Sequence, residues 1–250
     1  MIWNVPLDLY VRWQQYFLME GVWQSHFTAD RETRPLEKIS LQGFRGSSVQ
    51  NCQNGWYDDG TTLVDSPLLR LRQKTGFVTL DLPSAAQWER ACRAGYENKY
   101  NRPDMNDQNA ATFGRCLQNM IVGLGDVTAE TPASQGGTAK VGSFLPNPWG
   151  FYDMGGNVFE LCTSGHPYSN SAGGSPTFGD YAGSPYTDLL GPTPEWCTRT
   201  GNELTWATGA TLCGGSWKQN YSNMSVYYRN AIARSLSGGS ANDAGIRLCI

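Results

Sequence analysis

Apolar residues recur along this chain with two periods, and the change of period marks its elements. Near the start, Tyr10, Trp13 and Phe17 stand three and four residues apart, the spacing of one helix face. With Pro6 suited to a first turn and Gly21 to a stop, they predict a helix over residues 4–20. Residues 22–63 hold neither period and read as loops with short strands. Two sharper helical signals follow. Ser66-Pro67 gives a cap and a first-turn proline, Leu68, Leu69 and Leu71 give an apolar side, and Gly76 gives an end. From Leu82 to Cys92 the chain reads Leu-Pro-Ser-Ala-Ala-Gln-Trp-Glu-Arg-Ala-Cys. There Ser84 and Gln87 make a capping box, and Gly95 marks the stop.

Strand signals occur at Lys140–Phe144, Gly156–Leu161 and Ile246–Ile250. In the last of these, Arg247 alternates with Ile246 and Leu248. It therefore faces away from them, where it can pin a loop carbonyl or a carboxylate. Two polar stretches, 96–140 and 164–195, are rich in Gly, Ser, Asn and Thr or in Ser, Gly, Pro and Tyr. Both exceed an ordinary connection, so the first is expected to face a ligand, to be ordered by a metal or to be partly mobile. With no repeat or linker, the chain reads as one α+β domain over residues 1–250. It should have small antiparallel sheets, two or three helices and long irregular insertions.

Composition sharpens this picture. At 250 residues and 40% hydrophobic, the chain can bury a substantial core without staples. The 29 glycines and 9 tryptophans point to turns and loops held on large aromatics. A net charge of −3 with no basic stripe makes nucleic acid a poor partner. Seven cysteines without a C-x-x-C pair argue against zinc-ribbon or thioredoxin chemistry. They read as buried, reduced apolar residues, and an odd count leaves at least one free in a monomer. No basic-then-apolar leader opens the sequence, and no run of about 18 apolar residues predicts a membrane span.

Three segments, in order, resemble one family. They are Leu82–Ala91; Val141–Phe144 with Asn147–Glu160, which contains Gly155-Gly156-Asn157-Val158-Phe159-Glu160; and Gly214-Gly215-Ser216-Trp217 with Arg229, Arg234 and Gly245–Leu248. Together they resemble the formylglycine-generating (sulfatase-modifying) enzymes, with residues 1–75 the least well matched. The resemblance implies a C-type-lectin-like fold of that subtype. Gly150, Gly155 and Gly156 are expected to take positive φ, and Trp88, Trp149 and Trp217 to knit loops onto a small sheet.

The resembled oxidases hold copper with two cysteines just after the Gly-Gly-Ser-Trp motif. Here Lys218–Ser225 contains none, and no cysteine lies between Cys213 and Cys249. A relative with a three-histidine iron site is also excluded within one chain, because only His26 and His166 exist. No catalytic residue is therefore assigned, and no cofactor is required. For Asn157 and Glu160 two readings stand. They are calcium ligands, as the resemblance implies, or they are a turn cap and an arginine partner.

Residues 220–245 read NYSNMSVYYRNAIARSLSGGSANDAG, and 12 of these 26 are Asn, Ser or Tyr. Tyrosine with small polar residues is the composition of evolved binding loops. Randomising the adenines of asparagine codons would reach every residue of this stretch except Met224, which reads as invariant. The segment resembles the variable region of diversity-generating-retroelement proteins, which share the fold and end in a Gly-(Ile/Phe)-Arg strand. About 213–250 would then hold the variable region and closing strands. The expected ligand-binding residues are Asn220, Tyr221, Ser222, Asn223, Ser225, Tyr227, Tyr228, Asn230, Ala231, Ser235 and Ser237. The resemblance implies a phage or bacterial protein at a virion or cell surface, binding a protein or glycan receptor and able to oligomerise. Two rivals are an enzyme with a relocated site (oxidase or hydrolase) and a structural virion subunit.

Overall fold

The computed structural model describes residues 25–39, 44–45, 66–120, 127–166, 209–233 and 241–249. The helix expected over 4–20 lies outside them, as does most of 164–195. Helix α1 runs Pro67–Thr75, with the Ser66 side chain accepting the Leu69 N–H and Gly76 closing it at φ 75°. Helix α2 runs Ala85–Arg93 behind a complete capping box between Ser84 and Gln87. Its left-handed end is Ala94, at φ 50°, one residue before the glycine that the sequence points to.

Four strands form one sheet in the order β3-β2-β1-β4: β1 Phe159–His166, β2 Gly209–Cys213, β3 Arg229–Ala233 and β4 Ala244–Ile246. β1–β2 and β2–β3 are antiparallel, but β1–β4 is parallel, so the sheet is mixed and not purely antiparallel. The expected strand at 140–144 is a turn, with Gly142 at φ 70°. Val141, the turn's one β-branched residue, donates its N–H to Thr33 O.

Alternation along β1 sorts the core. Phe159 and Leu161, with Leu212, face a cluster that includes Leu68 and Leu71 of α1. Cys162 and Cys213 face Trp88, Ala91 and Cys92 of α2, with Met154 and Val226. Glu160 shares the second face. Its carboxylate accepts the Trp88 indole N–H at 2.6 Å and the Arg247 Nε–H at 2.7 Å, and pairs with Arg247 Nη2 at 2.5 Å. Arg247 also donates to Tyr152 O at 2.9 Å. The alternation of Ile246, Arg247 and Leu248 thus does what it predicts: the arginine pins both a carboxylate and a loop carbonyl. A third cluster joins Tyr100, Met105, Ala110, Cys116 and Met224, and it supports the long polar excursion.

Of the three tryptophans, Trp88 and Trp217 are buried. Trp149 is 46% exposed, lying beside Gly95 with the Arg90 guanidinium 5.8 Å over its ring. Gly150 and Gly156 have positive φ but Gly155 does not. Among the described residues no helix is long and apolar enough to cross a membrane.

Candidate ligand-binding face

After β2 the chain must reverse sharply, and Gly214 and Gly215 do this at φ 90° and 74°. A Cβ on Gly215 would come within 2.8 Å of Asn223 O, so the reversal presses directly on the segment that follows. Ser216 then donates to Asp243 at 2.9 Å, and the Trp217 indole donates to Asn242 O at 3.1 Å. These two bonds fix the start of the segment to the turn that leads into β4.

Residues Tyr221–Met224 form one 3-10 turn, capped by Asn220 Oδ1 accepting the Ser222 N–H at 3.0 Å. The turn is tied to the polar excursion on its other side. Leu117 N–H donates to Gln219 O at 2.8 Å, Tyr221 N–H to Gln118 Oε1 at 3.0 Å, and Val226 N–H to Lys99 O at 2.9 Å. Arg229 donates to Val226 O and Tyr228 O at 2.9 and 3.0 Å and ion-pairs with Glu89 of α2. The backbone is thereby held from both ends and from below.

The side chains divide cleanly over this frame. Met224 is 1% exposed, within the third cluster. Val226 is fully buried beside Trp88, and Ser225 is 2% exposed. Asn220 and Ser222 are exposed, and Tyr227 is 56% exposed. Tyr221, Asn223, Tyr228 and Asn230 are half-buried. Tyr228 stacks on Phe159 at 6.2 Å, and burial raises its hydroxyl pKa. Of the expected binding residues, Ser225 thus points inward, because the chain dips between Met224 and Val226. Ala231 pairs with Thr211 through its backbone in β3. Ser235 and Ser237 lie outside the described residues.

Sequence reasoning did not single out Lys99, Tyr100 and Asp107, which border this face. Asp107 accepts from both the Lys99 ammonium and the Tyr100 hydroxyl. Burial, then Asp107, pushes the Tyr100 hydroxyl up to about 12. No spacing rule links these residues to 220–230. The Val226–Lys99 backbone bond and the packing of Tyr100 with Met224 bring them together.

The residues implied for calcium do not fit it as arranged. Asn157 Oδ1 accepts the Ala139 N–H at 2.9 Å, and both Glu160 oxygens are taken by Arg247 and Trp88. A cation would need these oxygens free. The stretch Lys218–Ser225 itself offers no thiolate to a soft metal. Among the described residues no three His, Cys, Asp or Glu side chains gather as metal ligands.

Asp153 carries the remaining electrostatic strain. It sits at φ 53°, with Oδ2 accepting the Gly142 N–H at 2.6 Å and Oδ1 buried without a partner. Burial, opposed by the Gly142 N–H and Arg247 and reinforced by Glu160, pushes its carboxyl up to about 6. The folded pKa is raised above the ordinary carboxylate value. The folded state therefore holds the proton more tightly, and this contribution is complete below pH 4 and lost as pH rises through about 6. Asp153→Asn keeps an acceptor for Gly142 and tolerates positive φ. It should be more stable than the parent at pH 7.5 by on the order of 1–2 kcal/mol and equal to it near pH 4. Urea midpoints of both proteins across that range check this.

Comparison with known proteins places this arrangement among relatives. A family model for the sulfatase-modifying factor enzyme 1-like domain matches residues 55–250. The formylglycine-generating enzyme of Thermomonospora curvata is 36% identical over 81 residues, which make up 32% of this chain and 26% of that enzyme. The chain thus matches about a quarter of the length of this curated relative. Among solved structures, Treponema denticola variable protein 1 superposes with a TM-score of 0.58 at 17% identity, covering 96% of this chain and 81% of that one. PvdO from Pseudomonas aeruginosa gives a TM-score of 0.47 at 20% identity, over 86% of this chain and 61% of that one.

Proposed function

This chain belongs to the sulfatase-modifying factor enzyme 1-like family and has its C-type-lectin-like fold, and from that premise we propose that it binds a receptor through a diversified C-terminal surface and performs no oxidase chemistry. The family includes enzymes, and fold alone does not choose between them and a binder. The choice rests on the site. Where the resembled oxidases carry copper-holding cysteines, this chain carries Asn220, Tyr221, Ser222 and Asn223.

One observation carries the reading. Exposed Asn220, Ser222 and Tyr227 flank buried Met224, Ser225 and Val226 on a backbone bonded to Leu117, Gln118 and Lys99. Such a face can change its side chains without losing its shape. Tyrosine gives rigid contact area, and Asn and Ser give adaptable hydrogen bonds. The partner is a protein or glycan receptor met at a virion or cell surface, and the protein is of the diversity-generating-retroelement variable type.

Two measurements test this. The double substitution Ser222→Asn, Tyr227→Ser should move the melting midpoint by less than about 4 °C, since surface changes stay within about 0.5 kcal/mol each. Met224→Ser should lower it by roughly 5–10 °C through loss of a buried side chain. Equal damage from both would sink the division between face and frame. In the neighbouring DNA, a near-copy of the codons for residues 217–245 should differ mainly at adenines and lie beside a reverse-transcriptase gene. Absence of that copy from the complete genome would remove the diversified reading.

A further inference from the structure

The thiols of Cys162 and Cys213 stand 3.5 Å apart, and both are fully buried on the α2 side of the sheet. At that distance the two sulfurs are in contact with nothing between them. A disulfide needs about 2.0 Å, so roughly 1.5 Å of closure separates the two states. The backbone has slack at this place. Between Leu161 and Gly165, β1 advances four residues while β2, from Leu212 to Ala210, advances two. Cys162 lies inside that bulge. The third thiol of the cluster, Cys92, is engaged elsewhere, donating to Met154 O at 3.6 Å.

We propose that Cys162 and Cys213 are a disulfide-forming pair, oxidised as the chain folds in an oxidising compartment, so that β1 and β2 become covalently stapled beneath the binding face. Cys213 is the register partner of Arg229, which holds Val226 and Tyr228 by their carbonyls. The staple would therefore lie at the root of the displayed segment. Oxidation belongs to the folding chain, because in the folded state both sulfurs are out of water and burial raises the Cys162 thiol pKa well above its usual range. The chemistry balances with a small disulfide such as oxidised glutathione. One protein thiolate attacks a glutathione sulfur, forming a mixed disulfide and releasing one glutathione thiolate. The second protein thiolate then attacks the protein sulfur and releases the other glutathione. The two cysteines lose two electrons and two protons together, and the oxidant gains them.

The full chain, denatured and reduced, is refolded in a glutathione redox buffer, quenched with acid, alkylated under denaturing conditions and digested. A peptide joining Cys162 to Cys213 is expected, with an intact mass about 2 Da below the reduced chain. The melting midpoint should exceed that of the reduced protein by roughly 5–10 °C. Protein folded first in reductant, then placed in the same buffer for minutes, should gain less than about a tenth of the cross-link. Cys92→Ala should keep the cross-link. Export of the same chain into an oxidising compartment during expression should give the same joined peptide without any refolding step. Full alkylation of Cys162 and Cys213 after both routes, or their capture in other pairings, overturns the proposal.

Discussion

Replacing Glu160 by alanine is expected to remove about 3–5 kcal/mol of stability, the usual result of stripping one partner from a buried ion pair. The carboxylate is 4% exposed and receives the Trp88 indole N–H and two Arg247 donors. Without it the indole N–H has no acceptor in an apolar cluster of Cys92, Met154, Cys162 and Cys213. Arg247 keeps its charge but retains only Tyr152 O among these partners. Glu160→Gln should lose less, because one amide oxygen can still accept from Trp88. Urea titration followed by tryptophan fluorescence measures both. A loss under about 1 kcal/mol for Glu160→Ala would mean that the network orients groups without stabilising the sheet. The same titration in millimolar calcium also tests the other role implied for Glu160. A midpoint unmoved by calcium is expected, since Arg247 already occupies the carboxylate.

Local chemistry was the legible part of this fold. Ser66, Gly76, Ser84 and Gln87 each act within a few residues of themselves, so α1 and α2 appear where the sequence sets them. Arg247 was legible although the strand expected over Ile246–Ile250 instead runs Ala244–Ile246: beyond its end Leu248 still joins Ile246 in the first cluster while Arg247 turns to Glu160. What could not be read is what depends on distant backbone. The turn at 140–144 exists because Val141 bonds Thr33 and Gly142 bonds Asp153, contacts 108 and 11 residues away. Likewise, the parallel pairing of β1 with β4 joins Phe159 to Ala244 across most of the C-terminal third. The candidate face shows the same division. Its exposed residues could be chosen by composition, but the inward turn of Ser225 follows from Met224 and Val226 being drawn into two different clusters. The resembled motifs served mostly as scaffold. Asn157, Glu160 and Trp217 all spend their polar groups on protein backbone or on each other's neighbours.

Gly114→Ala should be among the most damaging small substitutions in the described chain, lowering stability by more than about 4 kcal/mol or preventing folding. A Cβ there would stand 2.1 Å from Gly155 O and 2.6 Å from Met224 Cε. The methionine tip can swing aside, but the carbonyl cannot. Gly156, the next residue, donates its N–H to Gly214 O at 2.8 Å, and Asn157 donates to Arg115 O at 2.7 Å. Three segments that are remote in sequence, 114–115, 155–157 and 214–215, therefore meet backbone to backbone, and only hydrogen fits between the first two. Gly76→Ala is the comparison that separates crowding from conformation. Nothing lies within 4 Å of its added Cβ, so only the left-handed φ of 75° is penalised, by about 1–2 kcal/mol. The two variants should also differ in reach. In Gly114→Ala, any folded fraction must shift Met224, the floor of the 3-10 turn. Hydrogen exchange at the Val226 amide, bonded to Lys99 O, should then accelerate at least about tenfold. In Gly76→Ala that amide should exchange at the parent rate once the global stability difference is removed. Unchanged exchange at Val226 in a folded Gly114→Ala protein would show that the 220–226 segment does not rest on this three-way backbone contact.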